Sequence, residues 1–211
     1  MNHRVAEAGR RGEEQELVVI VHGFGATQYV MWPLAGRLKS SGFHVCFWNY
    51  LSLFASIETH AERFSEYLST KLESEPRFHI VAHSMGAIVT RAALNRSRLP
   101  NLGRIVLLAP PNGGSPVARL ASSVLGGFVT PTRELSSNPT SYVNQLKTDS
   151  NFEIGIIAAK FDLLVPETNT HLPSQRQHET IIATHNSLLL SRRASAMTAR
   201  FLRAGTLVSR L

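Results

Sequence analysis

The sequence of 211 residues contains one cysteine, Cys46, so no disulfide can form within the chain. No apolar run approaches the roughly 20 residues that a membrane-spanning helix requires. Residues 1–16 carry arginines and glutamates but no apolar segment, unlike a secretory signal peptide. We therefore expect residues 1–16 to form a flexible tail, Cys46 to be a buried structural thiol, and the protein to be cytoplasmic.

Acidic residues are scarce in two long stretches of a chain whose net charge is +7. Seven arginines and no acid lie between Glu75 and Glu134, and five arginines and no acid follow Glu179. This pattern is typical of solvated helix faces, but it is also compatible with transient contact with an anionic membrane surface. Zinc-finger spacing, an aromatic RNA-binding signature and a helix-turn-helix pattern are lacking, so we expect no nucleic-acid partner.

Short apolar runs alternate with segments of helical periodicity along most of the chain. Leu17–Val21 is entirely apolar and rich in β-branched residues, which favours a strand buried on both faces. Apolar residues recur at spacings of three and four from Ile57 to Leu72, as in an amphipathic helix. The predicted strands are 17–21, 43–48, 78–82, 104–108, 154–159 and 179–183, and the predicted helices are 29–40, 57–72, 85–95 and 187–203. This alternation predicts an α/β fold with a mostly parallel sheet of about six strands and helices on both faces.

We expect residues 17–205 to form a single domain that includes one segment of different composition. Residues 112–150 are rich in Gly, Ser, Thr, Asn and Pro. A segment of this length inside a domain is usually functional or carries short helices of its own. A cap or lid over a cleft and a plain surface excursion are both compatible with this composition.

The strongest chemical signal is the pentapeptide Ala82-His83-Ser84-Met85-Gly86, between a predicted strand and a predicted helix. So tight a turn forces its middle residue into a strained backbone conformation, and small residues two positions before and after it avoid a clash. These are the features of the G-x-S-x-G nucleophile elbow, which presents a serine hydroxyl above the sheet. Ala82 replaces the first glycine, but alanine is small enough for the elbow to form. The pattern therefore predicts that Ser84 is a nucleophile.

A glycine-rich turn, His22-Gly23-Phe24-Gly25, follows the first predicted strand. Such a turn can direct a backbone N–H toward the oxyanion that develops during acyl transfer. We expect the N–H groups of Phe24 and Met85 to form this oxyanion hole. A simple turn or a phosphate-binding loop is the alternative, although the G-x-G-x-x-G and Gly-Lys-Ser/Thr patterns of phosphate loops are not present.

Three segments, LVVIVHGFGAT, FHIVAHSMGAIVTRAAL and RIVLLAPPNGGSPVA, resemble the α/β-hydrolase superfamily of the lipase and esterase type, in the order that this superfamily shows. The Ala-x-Ser-x-Gly form is similar to that of small bacterial lipases with a minimal sheet. The resemblance covers about residues 17–190 and implies a minimal α/β-hydrolase fold. It also implies that a catalytic acid and then a histidine follow the serine along the chain.

Asp162 is the predicted acid. The chain has only two aspartates, and Asp162 follows a predicted strand at the edge where open α/β sheets place their sites. Its surroundings, Phe-Asp-Leu-Leu-Val-Pro, also resemble the pattern of the family. Asp149 lies in the irregular segment and is the weaker candidate, and Glu167 is a reserve candidate.

Three histidines, His171, His178 and His185, follow the predicted acid. His171 lies in a polar loop, and His178 lies just before the last predicted strand. His185 comes directly after that strand and before the final helix, so it can reach both Ser84 and Asp162 across the edge of the sheet. We therefore predict that His185 is the general base.

These residues predict a serine hydrolase that cleaves carboxylic esters through a Ser84–His185–Asp162 triad and an acyl-enzyme. The resemblance implies an ester or lipid-like substrate, and the mechanism requires no cofactor and no metal. A thioesterase, an amidase, an acyltransferase and a non-catalytic binding protein of the same fold are the alternatives. The candidates for an acyl pocket are Phe24, Tyr29, Leu51 and Phe54, and those for a lid are Leu120, Val124, Leu125 and Phe128, with ordinary core positions as the alternative for each.

Overall fold

A computed structural model describes residues 15–118, 130–147 and 151–208 of the chain. The strands are β1 (Leu17–Val21), β2 (His44–Trp48), β3 (Phe78–His83), β4 (Leu102–Leu108), β5 (Glu153–Ala159) and β6 (Gln177–Ile181). The α-helices are α1 (Trp32–Ser40), α2 (Ile57–Lys71), α3 (Met85–Leu94), α4 (Thr130–Glu134), α5 (Tyr142–Gln145) and α6 (Arg192–Ala204). Short 3-10 helices lie at Gln28–Met31, Glu167–Asn169 and Ser187–Leu190.

The strands form one parallel sheet in the order β2-β1-β3-β4-β5-β6. The predicted α/β fold is confirmed, and the sheet is wholly rather than mostly parallel. The chain runs from β1 outward to β2 and then returns to β3 on the other side of β1. Ligand sites of open α/β sheets lie at such a reversal of strand order, beyond the carboxyl ends of the strands.

Helices cover both faces of the sheet because its central strands are apolar on both sides. Every residue of β1 is buried, and successive side chains point to opposite faces. Val18 and Ile20 pack into the core beneath α1 and α6, whereas Val19 and Val21 pack into the core beneath α2 and α3. The sheet is therefore held from both sides, which makes its carboxyl edge a rigid support for functional groups.

The clearest difference between prediction and structure is β6. This strand spans Gln177–Ile181, two residues earlier than the predicted 179–183. The other strands lie within two residues of their predicted positions. The predicted helix over 29–40 begins as a 3-10 helix, and a second 3-10 helix occupies the start of the predicted helix over 187–203.

The segment 112–150, which was predicted to be a cap or a surface excursion, is described only in part. Ser115 forms an isolated parallel bridge with Ser136, and the short helices α4 and α5 lie in its second half. The candidate lid residues Leu120, Val124, Leu125 and Phe128 lie outside the described residues, as do Asp149 and nearly all of the predicted tail. The role of the segment as a lid stays a prediction.

Two further observations concern expectations drawn from composition. Cys46 is only partly buried, and its Sγ lies 3.7 Å from the hydroxyl of Tyr67. Within the described ranges, no helix combines the length and the apolar character that crossing a membrane requires.

Candidate active site

Ser84 lies at the carboxyl edge of the sheet, in the single residue that separates β3 from α3. Its backbone has φ 52° and ψ −125°, a conformation that residues with a side chain rarely adopt. The turn is held by hydrogen bonds on both sides, since the Ser84 N–H donates to the Leu108 carbonyl and the Ala87 N–H donates to the Ser84 carbonyl, each at 2.9 Å. The structure therefore has the strained strand-to-helix turn that the sequence predicted.

Two glycines allow this turn to approach the end of β1. A Cβ atom at Gly86 would lie 2.4 Å from the carbonyl oxygen of His22 and 2.9 Å from that of Val21, which backbone atoms cannot accommodate. A Cβ atom at Gly23 would lie 3.0 Å from the Cβ of Ser84. The glycine-rich turn after β1 and the serine turn after β3 thus pack directly against each other.

The imidazole of His185 lies between the Ser84 hydroxyl and the Asp162 carboxylate. Its Nε2 is 2.9 Å from Ser84 Oγ, and its Nδ1 is 2.6 Å from Asp162 Oδ2. A carboxylate only accepts hydrogen bonds, so Nδ1 carries the proton and Nε2 presents its lone pair to the serine hydroxyl. The structure thus brings together three predicted residues that are far apart along the chain.

Asp162 is fixed by backbone groups as well as by the histidine. Its Oδ1 accepts hydrogen bonds from the N–H groups of Leu164 and Val165, both at 2.9 Å, and its side chain is 1% exposed. Burial alone would raise the pKa of this carboxyl, but the hydrogen bond and charge of His185, together with the two backbone donors, outweigh it. The net effect is a pKa below the ordinary value, so the carboxylate stays ionised near neutral pH.

His83, the residue before Ser84, contacts the backbone of His185. Its Nε2 donates to the carbonyl oxygen of His185 at 3.2 Å, and the two rings are 4.8 Å apart between centroids. Burial and the neighbouring His185 lower the pKa of His83 to about 3, so its ring is neutral and Nε2 can carry the donated proton. This contact holds the turn that carries His185 against the end of β3.

The predicted oxyanion-hole residues lie on either side of Ser84. Met85 is the first residue of α3, where backbone N–H groups have no partner within the helix. Phe24 lies in the adjoining glycine-rich turn. Among the described residues, neither the Phe24 nor the Met85 N–H group donates to another protein group. Both are therefore available to a substrate oxygen near Ser84.

Two clefts open beside Ser84, and Phe24 borders both of them. The larger, of about 480 Å³, continues along Tyr29, Val30 and Leu190. The smaller, of about 190 Å³, continues along apolar side chains that include Val117, Leu135, Leu164 and Val165. A substrate whose reacting carbon lies at Ser84 can therefore extend in two directions.

Several candidates from the sequence do not reach Ser84. Glu167, the reserve acid, lies 2.9 Å from His171 Nε2 and 3.9 Å from His178 Nδ1, so these three residues form a separate cluster. Leu51 and Phe54, which were considered as pocket or core residues, are 75% and 80% exposed and line neither cleft. The interpretation of these two residues as core is wrong.

Sequence reasoning missed the residues that support the acid and close the larger cleft. Ser115 Oγ donates to the Leu164 carbonyl at 2.6 Å and so braces the loop after Asp162. Leu189 and Leu190 line the larger cleft from the 3-10 helix that precedes α6. The run Pro-Asn-Gly-Gly-Ser, which ends at Ser115, lies in one of the segments that resemble the family and is a signal for this residue. Leu189 and Leu190 fall within the predicted helix over 187–203, and nothing in that pattern places them at the site.

Comparisons with known proteins agree with this architecture. A model of the alpha/beta hydrolase family matches residues 18–200. The structure is similar to the mature lipase BlEst2 of Bacillus licheniformis, with a TM-score of 0.74, 14% identity, and coverage of 95% of this chain and 96% of that chain. It is also similar to the esterase Pf2001 of Pyrococcus furiosus, with a TM-score of 0.59, 19% identity, and coverage of 93% and 85%.

A third similar structure is the phospholipase PlaB of Legionella pneumophila, with a TM-score of 0.57 and 17% identity. The match covers 74% of this chain but only 44% of PlaB. A comparison with curated proteins gives no match. At such low identities, the likeness to solved structures establishes the fold alone.

Proposed function

We propose, since the chain belongs to the alpha/beta hydrolase family, that it is a serine hydrolase that cleaves carboxylic esters. Ser84 is the nucleophile, His185 the general base and Asp162 the residue that orients and stabilises the imidazole. One observation carries the proposal. The His185 ring is hydrogen-bonded to Ser84 at 2.9 Å and to Asp162 at 2.6 Å, above a strained elbow.

In the first half of the proposed reaction, His185 Nε2 removes the proton from Ser84 Oγ as the oxygen attacks the ester carbonyl carbon. The imidazolium that forms is stabilised by Asp162, whose Oδ2 accepts a hydrogen bond from Nδ1–H. Collapse of the tetrahedral intermediate breaks the bond to the alcohol, which takes the proton from Nε2. Ser84 is left as an acyl-enzyme.

In the second half, His185 takes a proton from water, and the resulting nucleophile attacks the acyl-enzyme carbonyl. Collapse of the second intermediate releases the acid and returns the proton to Ser84. In both halves the negative oxygen binds to the N–H groups of Phe24 and Met85. Each such donor stabilises the transition state by about 3 kcal/mol in related acyl-transfer sites.

The surroundings of Ser84 favour an ester that is apolar on both sides of the reacting bond. One cleft accommodates the acyl chain and the other the alcohol, and apolar side chains line most of both. Large apolar side chains are also exposed beyond the carboxyl ends of the strands. Tyr29 and Trp32 follow β1, Leu51 and Phe54 follow β2, and Phe161 and Leu163 follow β5. A lipid-like ester is therefore the proposed substrate class.

The same edge carries features that suit a lipid surface. Exposed apolar side chains clustered in one region are typical of interaction sites. Arg192 and Arg193, both exposed, begin α6 at this edge and add positive charge. We propose that the edge makes transient contact with an anionic membrane surface, with the apolar side chains entering the lipid and the arginines meeting its headgroups.

The test is labelling with a fluorophosphonate together with hydrolysis of p-nitrophenyl esters of increasing acyl length. Wild type and a matched control, Ser69→Ala at an exposed serine of α2, are expected to be labelled and active. Ser84→Ala is expected to lose the label and on the order of 10⁶-fold in kcat while keeping its melting temperature. A folded Ser84→Ala protein with full esterase activity contradicts the proposal.

A further inference from the structure

The β5–β6 connection and β6 carry a second cluster of titratable side chains, separate from Ser84. Glu167 begins the 3-10 helix Glu167–Asn169, His171 follows that helix, and His178 lies in β6. His171 Nε2 lies 2.9 Å and His178 Nδ1 3.9 Å from Glu167 Oε1. One ligand atom from each residue lies within 4.8 Å of the others. Two imidazoles and one carboxylate are the donor set of many zinc sites.

Thr170 determines the tautomer of His178, that is, which ring nitrogen carries the proton and which has a free lone pair. The Thr170 hydroxyl donates its proton to the Glu167 carbonyl at 2.6 Å, so it accepts from His178 Nε2–H at 2.7 Å. In the neutral ring, His178 Nδ1 then has no proton. Its lone pair faces the negatively charged Glu167 Oε1, and two acceptors that face each other at this distance are suited to a cation between them.

We propose that Glu167, His171 and His178 bind one divalent transition-metal ion, with Zn²⁺ as the expected ion. Zinc bonds of about 2.0–2.1 Å at tetrahedral angles place ligand atoms about 3.4 Å apart. The observed separations of 2.9 and 3.9 Å lie on either side of this value, so the ligand atoms are already close to the required spacing, although the exposed His171 ring has to turn. Because His171 is exposed and Glu167 is half-buried, water can complete the coordination.

The hydrogen bonds of Gln175 fix a tautomer of His171 that metal binding has to change. Its Oε1 accepts from the Leu172 N–H at 3.0 Å, so its amide nitrogen faces His171 Nδ1 at 3.1 Å. His171 therefore carries its proton on Nε2, which donates to Glu167. Metal binding at Nε2 moves that proton to Nδ1, where it faces the amide N–H of Gln175, so two donors then face each other. Binding also turns the exposed His171 ring out of its stack on His178, where the ring centroids are 3.8 Å apart. Gln175 thus opposes binding, and a carboxylate in its place favours it.

Metal binding would connect two parts of the chain near the proposed active site. Glu167 lies in the β5–β6 connection that also carries Asp162, and His178 belongs to the edge strand β6. The proposal does not rest on hydrolytic activity, because it follows from the donor atoms and the tautomers alone. The test therefore measures metal binding directly and can be repeated in Ser84→Ala.

The experiment is calorimetric titration of the untagged full chain with Zn²⁺ near neutral pH, with thermal melts as a second readout. We expect one site that His171→Ala weakens at least 10-fold and that the matched control His44→Ala, at an exposed histidine of β2, leaves intact. Thr170→Val should weaken binding about 10-fold because it frees the His178 tautomer, and Gln175→Glu should strengthen it by a similar factor. Zn²⁺ should raise the melting temperature of wild type and of Ser84→Ala alike.

Three results would overturn the inference. The first is the absence of Zn²⁺ binding at millimolar concentration, the second is equal affinity in wild type, His171→Ala and His178→Ala, and the third is a failure of Gln175→Glu to strengthen binding. His171 is exposed, so its variant keeps the test decisive even where His178→Ala fails to fold. Failure of Gln175→Glu to bind more tightly than wild type would overturn the tautomer assignment on which the ligand set depends.

Discussion

Ser84 is held at φ 52° by its neighbours rather than by its own backbone preference. A left-handed conformation costs a residue with a side chain on the order of 1–3 kcal/mol, and it persists only where the surroundings enforce it. Here the end of β1 lies directly against the turn, and Gly86 is the residue that allows this approach. The orientation of the Ser84 hydroxyl therefore depends on the absence of a side chain two residues later.

The first prediction concerns this contact. Gly86→Ala places a Cβ atom 2.4 Å from the His22 carbonyl oxygen, so β1 and the serine turn must move apart. We expect a loss of about 3 kcal/mol in the free energy of unfolding and a fall of about 100-fold in kcat, because the nucleophile is displaced. The control is Gly36→Ala in α1, where nothing lies within 4 Å of the added atom and a helical alanine should stabilise the protein slightly. Equal melting temperatures for the two variants would contradict this account.

The second prediction concerns the tautomer of His185. In Asp162→Asn, an amide oxygen can still accept from the backbone N–H groups of Leu164 and Val165. The amide nitrogen then donates to His185 Nδ1, so the ring proton lies on Nε2. Nε2 then has no lone pair with which to accept the Ser84 proton. We expect kcat to fall by about 10⁴-fold with KM nearly unchanged. Steady-state kinetics check this, and a fall of less than 10-fold would exclude Asp162 from the proposed role.

At this scale local patterns in the sequence were sufficient to select three side chains that the structure brings into hydrogen-bond contact. Ser84 lies in a contiguous motif, and Asp162 and His185 could be placed because each follows a predicted strand. The contact of His83 with the His185 carbonyl could not be predicted, because it depends on how the turn after β6 folds. Long-range packing of irregular backbone has no periodic signal in the sequence.

Among the strands, burial decided how accurately each could be predicted. β1 and β3 are buried along their whole length; β1 is a continuous apolar run, and β3 is apolar except for His79 and His83. β6 pairs with β5 alone, and most of Gln177–Ile181 is polar. The apolar run Ile181–Ala183 suggested a later strand, whereas the Arg176 N–H bond to the Ile154 carbonyl shows that pairing begins earlier. Because β6 is mostly polar, its start lacks the apolar residues by which the ends of β1 are recognised.

The third prediction concerns the start of α6. Ser191 is the residue before this helix, and its Oγ accepts a hydrogen bond from the Ala194 N–H at 3.1 Å. The first turn contains Arg192 and Arg193, which interact unfavourably with the positive end of the helix dipole. We expect Ser191→Ala to lower the free energy of unfolding by about 1 kcal/mol and Ser191→Asp to restore it, because aspartate both caps and adds negative charge. Urea unfolding of the two variants checks this, and equal stabilities would contradict it.

At the scale of the whole molecule, the interior contains several histidines. Burial is the largest influence on the pKa of each, and it lowers the pKa of His22, His60, His79 and His83. His60 is fully buried, and neither of its ring nitrogens has a hydrogen-bond partner among the described residues. These rings are accommodated as neutral groups, so protonation opposes the folded state. The free energy of unfolding of the whole protein should therefore fall in mild acid, independently of the proposed catalytic groups.

The last prediction follows from this linkage for His83, whose pKa is about 3 in the folded protein and about 6.5 in the unfolded chain. Between these values the unfolded chain binds a proton that the folded protein does not. The free energy of unfolding therefore falls as the pH is lowered through this window, by up to about 1.4 kcal/mol per pH unit for this residue. His83→Gln keeps a donor for the His185 carbonyl but removes the titrating ring, so urea unfolding between pH 6 and 4 should show a slope shallower by about that amount. The reduction should exceed that caused by His44→Gln at the exposed first residue of β2, and equal slopes in the two variants would show that His83 is not a buried neutral group.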